Sequence, residues 1–204
     1  MKKLQFIIAL LPLALGITIT LSNCERPEDN RVRVLNQADL NNDYTDLVSK
    51  ASNNGDTLIT SNARIALGRV LFYDVKLSRT NAIACGSCHK QQFAFADNVK
   101  KSTGFAGNNA KRNSPAIQNL SQQHRLFWDG RADSLRQLVF MPIQDHIEMG
   151  FENIDLLPSK LGATDYYPTL FTQAFGSPVI TKDKIGRAMS EFIQILRSDN
   201  SKFD

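Results

Sequence analysis

Apolar residues are arranged in two ways along this chain. Residues 4–21 form one apolar run, interrupted by Pro12 and Gly16. Beyond residue 60 the apolar positions recur instead at helical spacing. Ser61 or Asn62 can cap a helix over residues 63–73, with Ile65, Leu67, Val70 and Leu71 on one face. Residues 85–93 should be helical enough to bring their chemistry to one side. Asp133 or Ser134 opens a further helix through Leu135, Leu138 and Val139, which should stop before Pro142. Another runs over residues 166–175 and stops at Gly176. Thr181 caps the last, whose apolar positions Ile185, Ala188, Met189, Phe192, Ile193 and Leu196 fall on one face. Strand alternation is essentially missing, so the expected fold is all-α. Residues 96–114, rich in Gly, Asn, Lys and Ser, read as a long loop, and such loops inside compact domains often carry function.

The apolar run follows Met1-Lys2-Lys3 and ends at Leu21-Ser22-Asn23-Cys24, where the chain turns polar. A positive start, an apolar stretch and small residues at the break mark a secretory signal, here residues 1–23. Leu-Ser-Asn-Cys resembles a bacterial lipobox, in which the cysteine is acylated, so Cys24 is the expected lipid anchor to the membrane. An ordinary cleaved signal and an uncleaved anchor helix are the competing readings; a mainly apolar run of 18 residues lies at the lower limit for spanning a bilayer. All three export the chain, and the expected location is periplasmic. Residues 24–58, rich in Asn and Asp, read as a polar tether with one short helix around residues 39–50. Residues 59–204 form the compact domain.

The formal charge of +4 includes two leader lysines, and removing them leaves 22 basic against 20 acidic residues. With no basic stripe, nucleic-acid binding is set aside.

The strongest chemical signal is Cys85-Gly86-Ser87-Cys88-His89. A Cys-x-x-Cys-His segment attaches a c-type haem: the two cysteines reach the porphyrin vinyl groups and the histidine reaches the iron. A thioredoxin-like pair would need a βαβ setting and a zinc site a second ligand pair; neither is present. With Cys24 holding lipid and Cys85 and Cys88 holding haem, all three cysteines are used. Haem alone leaves open whether the sixth iron position is free, as in an enzyme, or filled, as in an electron carrier. His124, His146, Met141, Met149 and Met189 are the candidates to fill it.

Further segments point to a family. Leu67-Gly68-Arg69-Val70-Leu71-Phe72-Tyr73-Asp74, the haem motif, Phe95-Ala96-Asp97, Arg112-Asn113-Ser114-Pro115, Phe127-Trp128-Asp129-Gly130-Arg131 and Glu148-Met149-Gly150 together resemble the bacterial dihaem cytochrome c peroxidases, with the MauG-type proteins close by. The resemblance runs from Leu67 to Asp204 and implies a cytochrome c-like peroxidatic haem domain. It implies that His89 is the proximal ligand and Glu148 the acid-base residue beside the iron. Trp128 matches the tryptophan between the two haems that assists electron transfer, and Asn113 matches a calcium ligand. Asp129 and Arg131 are expected to pair and hold a turn. The implied reaction is reduction of hydrogen peroxide to water, with electrons from a small cytochrome c or cupredoxin; oxidation of another protein's side chains is the MauG-type alternative. Calcium-dependent homodimers are common in the family.

Three departures stand out. The family's distal glutamine falls on Leu138, with Gln137 one residue earlier. No histidine occurs in residues 90–123, where many members carry one that blocks the iron. The sequence ends at Phe203-Asp204, where the family's second haem domain would begin, so the expectation is a peroxidatic domain without its electron inlet. A monohaem electron carrier or a truncated, inactive fragment are the rival readings.

Overall fold

In a computed structural model, residues 62–198 and Lys202 are described, and all of them lie in one compact unit. The expected signal segment, Cys24, the tether and its helix at residues 39–50 fall outside these residues. Among the described residues no helix is long and apolar enough to cross a membrane.

Among the described residues seven α-helices follow one another: α1 (Asn62–Tyr73), α2 (Cys85–Cys88), α3 (Leu135–Leu138), α4 (Phe140–Gln144), α5 (Leu157–Gly162), α6 (Tyr167–Phe175) and α7 (Lys182–Gln194). Single 3-10 turns punctuate the connections. The described residues contain no strand, only isolated bridges such as Lys90 with Ala96 and Leu126 with Ala132. The all-α expectation holds.

The core is the meeting of α1 with α7, flanked by α6 on one side and α3 on the other. From α1, Ile65, Leu67, Leu71 and Phe72 are buried, while Val70 is only partly covered. All six positions read from the last helix's periodicity are buried, five of them in α7 and Leu196 just past its end. Each such side chain contributes roughly 1.5–3 kcal/mol by leaving water. Gly68 lets the two helices touch: a Cβ there would lie 2.0 Å from the Ala188 carbonyl oxygen.

The caps expected from sequence are present at three ends. Thr181 accepts a hydrogen bond from the Lys184 N–H, Ser134 accepts one from the Gln137 N–H, and Gly176 closes α6 in the left-handed region at φ +71°. The helix begun at Ser134 stops before Pro142, as expected, ending at Leu138. The chain restarts beyond Val139 as α4, with Pro142 in the first turn, where a proline's missing N–H leaves no bond unmade. Residues 85–93 are helical in two pieces: α2 is a single turn, followed by a 3-10 turn at Gln91–Phe93. Helix α5, which carries only Leu157 and Leu161 inward, was too short to show a period.

Candidate active site

Helix α2 is one turn long, so its geometry comes from local bonds. The Ala84 N–H donates to Ser87 Oγ (3.0 Å) and the Ser87 N–H returns to the Ala84 carbonyl (3.0 Å). The His89 N–H then bonds to the Cys85 carbonyl (2.9 Å). This single turn puts Cys85, Cys88 and His89 on one side, and all three line the same cleft. Gly86 is the residue that permits it, because a Cβ there would lie 2.5 Å from the Tyr73 ring.

His89 is oriented by the loop that follows. Ala94 and Phe95 both take left-handed conformations (φ +57°), folding the chain back so that Lys90 and Ala96 bridge. The turn delivers the Phe95 carbonyl to His89 Nδ1 at 2.8 Å. A carbonyl can only accept, so Nδ1 carries the proton and Nε2 keeps its lone pair. Burial lowers the pKa of His89, opposed by the carbonyls of Phe95 and Pro115. The loop is held by Asp97, whose carboxylate accepts from Lys90 Nζ (2.8 Å), Ser102 Oγ (2.6 Å) and the Asn98 N–H (2.8 Å). Burial alone would raise the Asp97 pKa; these bonds leave it below the usual carboxylate range.

The cleft encloses about 960 Å³ of space, a figure that includes its open mouth. Its walls are mainly apolar, with Phe72 from α1, Leu138 from α3 and Met189 and Ile193 from α7. Loop residues close it: Asn113, Trp128, Arg131 and Glu148 all line it. Thus the six residues singled out as Cys85, Cys88, His89, Asn113, Trp128 and Glu148 converge on one space. Met149 and Met189 line it as well; His124, His146 and Met141 are not among its lining residues. At the position of the family's glutamine, the cleft holds Leu138. Gln137 caps its helix instead, accepting from the Asp133 N–H (3.1 Å).

Glu148 is placed by a turn built on Asp145. One oxygen, Asp145 Oδ1, accepts from the Ile147 N–H (2.8 Å) and the Glu148 N–H (3.2 Å). The Gly150 N–H reaches back to the Asp145 carbonyl (2.8 Å), and Gly150 itself is left-handed at φ +69°. Across from this turn the Phe105 N–H donates to the Glu148 carbonyl (2.9 Å). Burial raises the Glu148 pKa, aided by the charge of Asp145, while Arg131 and Lys111 oppose the shift. A carboxyl so placed exchanges protons nearer neutrality than an exposed one.

At the mouth, Asp129 Oδ1 accepts from Arg131 (2.8 Å) and Asp129 Oδ2 accepts from Arg112. Hydrogen bonds from Arg112 and Arg131 bring the Asp129 pKa down to about 2. The expected Asp129–Arg131 pair is therefore present. Arg131 also lies 3.7 Å above the centre of the Phe127 ring, a stacking the sequence did not signal. Trp128 is not core: it is 65% exposed, anchored by its Nε1–H to the Asn113 carbonyl (2.9 Å). The Asn113 side-chain amide donates to the Val99 carbonyl (2.9 Å). Among the described residues no group of three or more His, Cys, Asp or Glu is placed to hold a metal ion. Asp145 and Ser102 were missed from sequence. Asp145 had a detectable signal, since an Asp three residues before a glutamate is the pattern of a side chain capping the next turn.

The sequence matches the family described as di-haem cytochrome c peroxidase over residues 62–204. Among curated relatives, methylamine utilization protein MauG of Methylorubrum extorquens is 35% identical over 142 residues, covering 69% of this chain and 40% of that protein. Cytochrome c551 peroxidase of Pseudomonas aeruginosa is 36% identical over 141 residues, covering 68% and 40%. Among solved structures, a MauG-like protein associated with microbial copper homeostasis superposes with a TM-score of 0.64 at 30% identity, over 71% of this chain and 43% of that one. The diheme peroxidase BthA of Burkholderia thailandensis gives 0.58 at 27% identity, over 66% and 38%. The chain spans about two fifths of the length of these relatives. The helical fold is thus of the cytochrome c-like kind found in such proteins, and this chain belongs to the di-haem cytochrome c peroxidase family.

Proposed function

We propose that this chain holds one c-type haem through Cys85, Cys88 and His89 and uses it to reduce hydrogen peroxide to water. The residues fit that group: two cysteines and a histidine, its Nδ1 held by the Phe95 carbonyl, share one wall of a mainly apolar cleft. When bound, the haem supplies the iron chemistry and the two electrons that split the O–O bond. The protein supplies position and proton transfer. His89, fixed through Nδ1 by Phe95, presents Nε2 as the iron ligand. Glu148 takes the proton from the inner peroxide oxygen and returns it to the outer one, which then leaves as water. Its raised pKa suits both halves of that exchange. Arg131, held on Phe127 and by Asp129, keeps a positive charge near the carboxylate. Trp128 offers an aromatic face at the mouth for a small cytochrome c or cupredoxin that donates electrons. Calcium at Asn113 would draw most of its oxygens from backbone carbonyls and water. The chain is exported and tethered in the periplasm by lipid on Cys24, which intact mass measurement of the membrane fraction tests.

The observation that carries the reading is Glu148 facing the same cleft as the Cys-x-x-Cys-His turn. Optical and EPR spectra of the haem-loaded protein, before and after stoichiometric peroxide, test it. A high-spin ferric spectrum that changes with peroxide, and changes far more slowly in Glu148→Gln, is expected. A low-spin spectrum indifferent to peroxide would overturn it. That result favours a second reading, an electron carrier, since the buried Met149 and Met189 both line the cleft and could fill the sixth position.

A further inference from the structure

A second set of redox-capable side chains lies behind the cysteine wall of the cleft. Two consecutive tyrosines at the start of α6, Tyr166 and Tyr167, both donate their hydroxyls to one oxygen, Asp74 Oδ2, at 2.6 Å and 2.8 Å. Asp74 follows directly on α1, and its other oxygen caps the next turn through the Lys76 N–H (2.8 Å). The two rings are 4.6 Å apart between centres. Tyr167 is fully buried, while Tyr166 is only partly covered. The same α1 terminus reaches the cleft wall by another contact, the Tyr73 ring against Gly86. A phenol pair is therefore strung between the protein surface and the edge of the cleft, with one carboxylate serving both.

We propose that Tyr167 and Tyr166, with Asp74 as their shared proton acceptor, form a one-electron relay between the surface and the cofactor cleft. The proposal rests on the haem peroxidase reading above. Peroxide takes two electrons, whereas small redox proteins deliver one at a time. Tyr167 supplies one electron to the peroxide-oxidised cofactor, and its hydroxyl proton passes to Asp74 Oδ2, leaving a neutral phenoxyl radical beside a neutral carboxylic acid. Tyr166 then reduces Tyr167: the proton on Asp74 returns to Tyr167 oxygen as Tyr166 gives its own to Asp74. An outside one-electron donor reduces Tyr166, and Asp74 returns the last proton. The tyrosines and the aspartate end as they began, with one electron moved inward.

The carboxylate makes this feasible. An oxidised phenol without a base would remain a buried cation, which an apolar site disfavours strongly. With Asp74 beside it, loss of an electron takes the site from one negative charge to none. Before oxidation both phenols stay protonated, since burial and then the Asp74 charge and hydrogen bond push their pKa values upward.

The test uses the full haem-loaded chain. After stoichiometric hydrogen peroxide, freeze-quench EPR should show a tyrosyl radical whose hyperfine structure collapses on ring deuteration of tyrosine. Tyr167→Phe should lower its yield at least tenfold, as should Asp74→Asn. Tyr166→Phe should keep the radical but slow its decay when a donor is added. Far-UV circular dichroism and Tm report folding, and a purely structural pair would shift Tm without altering the radical. Optical spectra in the same samples show whether the cofactor reacted, which separates failure of the relay from failure of the peroxidase reading. Flash oxidation by a ruthenium polypyridyl photo-oxidant with a sacrificial acceptor needs no peroxide chemistry, and should place the radical on the same pair. A tyrosyl signal unchanged by Tyr167→Phe and Tyr166→Phe together, or none in a protein whose cofactor has reacted, would overturn the relay.

Discussion

Gly104→Ala tests how Glu148 is held, because Gly104 is pressed against the backbone just before it. A Cβ at Gly104 would lie 1.7 Å from the Ile147 carbonyl oxygen and 3.0 Å from that of Glu148. Real Cβ atoms essentially never come closer than 3.0 Å, so the Ile147 peptide must retreat by 1.3 Å or more. Backbone, not a flexible side chain, has to move. The neighbouring Phe105 N–H bond to the Glu148 carbonyl (2.9 Å) cannot survive that shift unaltered. Overpacking of this kind costs about 1–3 kcal/mol, or ~3–12 °C in Tm for a domain of this size. A carboxyl displaced by ~1 Å from its working position loses on the order of 10²-fold in rate. The assay is kcat/KM for peroxide reduction together with thermal unfolding, with haem content measured on the same samples. Gly162→Ala is the control: its Cβ meets nothing within 4 Å, and it should be neutral or stabilising by up to about 1 kcal/mol. A Gly104→Ala protein within about twofold of the parent in kcat/KM would refute the reasoning, whatever its Tm.

Glu148→Gln keeps the shape and removes the proton exchange, and kcat/KM should fall by ~10²–10⁴-fold with haem content unchanged. The same group sets a pH dependence of stability. Burial raises its folded pKa above the unfolded value, so its contribution is fully present below the unfolded pKa and is lost as pH rises through the folded one. Tm should therefore fall less steeply in Glu148→Gln than in the parent as pH rises from the ordinary glutamate pKa through the raised folded one. Asp145→Ala removes the acceptor for the Ile147 and Glu148 N–H groups; unfolding should show a loss of about 1 kcal/mol, and activity should fall less than in Glu148→Gln. Trp128→Ala should leave Tm within ~2 °C, because the side chain is largely exposed, yet slow turnover with a protein donor more than with a small-molecule donor. Glu191→Ala breaks the ion pair to Arg64 (2.8 Å) across the α1–α7 contact and the pair to Arg187 (3.0 Å) one turn away within α7, and should cost about 3 kcal/mol in denaturant unfolding without changing the haem spectrum.

The long amphipathic helices were legible because their side chains answer to one partner surface. Ile185, Ala188, Met189, Phe192, Ile193 and Leu196 were read from spacing alone, and all are buried. The helix ends at Ser134, Gly176 and Thr181 followed from single-residue chemistry. What spacing did not show was the detail between the long helices. The helix does end before Pro142, yet Val139 keeps a helical backbone and the proline falls in a new first turn. Residues 85–93 hold two short helical pieces, and the left-handed pair Ala94 and Phe95 that follows is imposed by packing, since neither residue favours that conformation. In the site, residue identities were legible but their supports were not. Trp128 was legible as a site residue, but the turn at Asp129 and Gly130 that carries it to the surface was not. Ser102 acts through bonds to Asp97 and Ser114 that no spacing rule exposes, whereas Asp145, three residues before Glu148, carries the spacing of a turn-capping side chain.

Helices and loops divide the labour around the cleft in a way that backbone strain makes visible. Phe95 and Phe127 are non-glycine residues held at φ +57° and +68°, and both sit in loops that build the site. Each costs about 1–2 kcal/mol relative to an ordinary conformation, and such strain persists only where surroundings over-determine it. The surroundings are identifiable. Phe95 is buried against Phe72 of α1, with ring centres 6.2 Å apart, and its strained backbone turns a carbonyl onto His89. Phe127 lies under the Arg131 guanidinium, and its strained backbone turns Trp128 outward. Glycine at either position would relieve the strain but would lose the ring that anchors the loop. The unfolded chain would also gain freedom. The helical core thus acts as a rigid floor whose aromatic contacts hold two strained loops in the conformations that aim His89 inward and Trp128 outward.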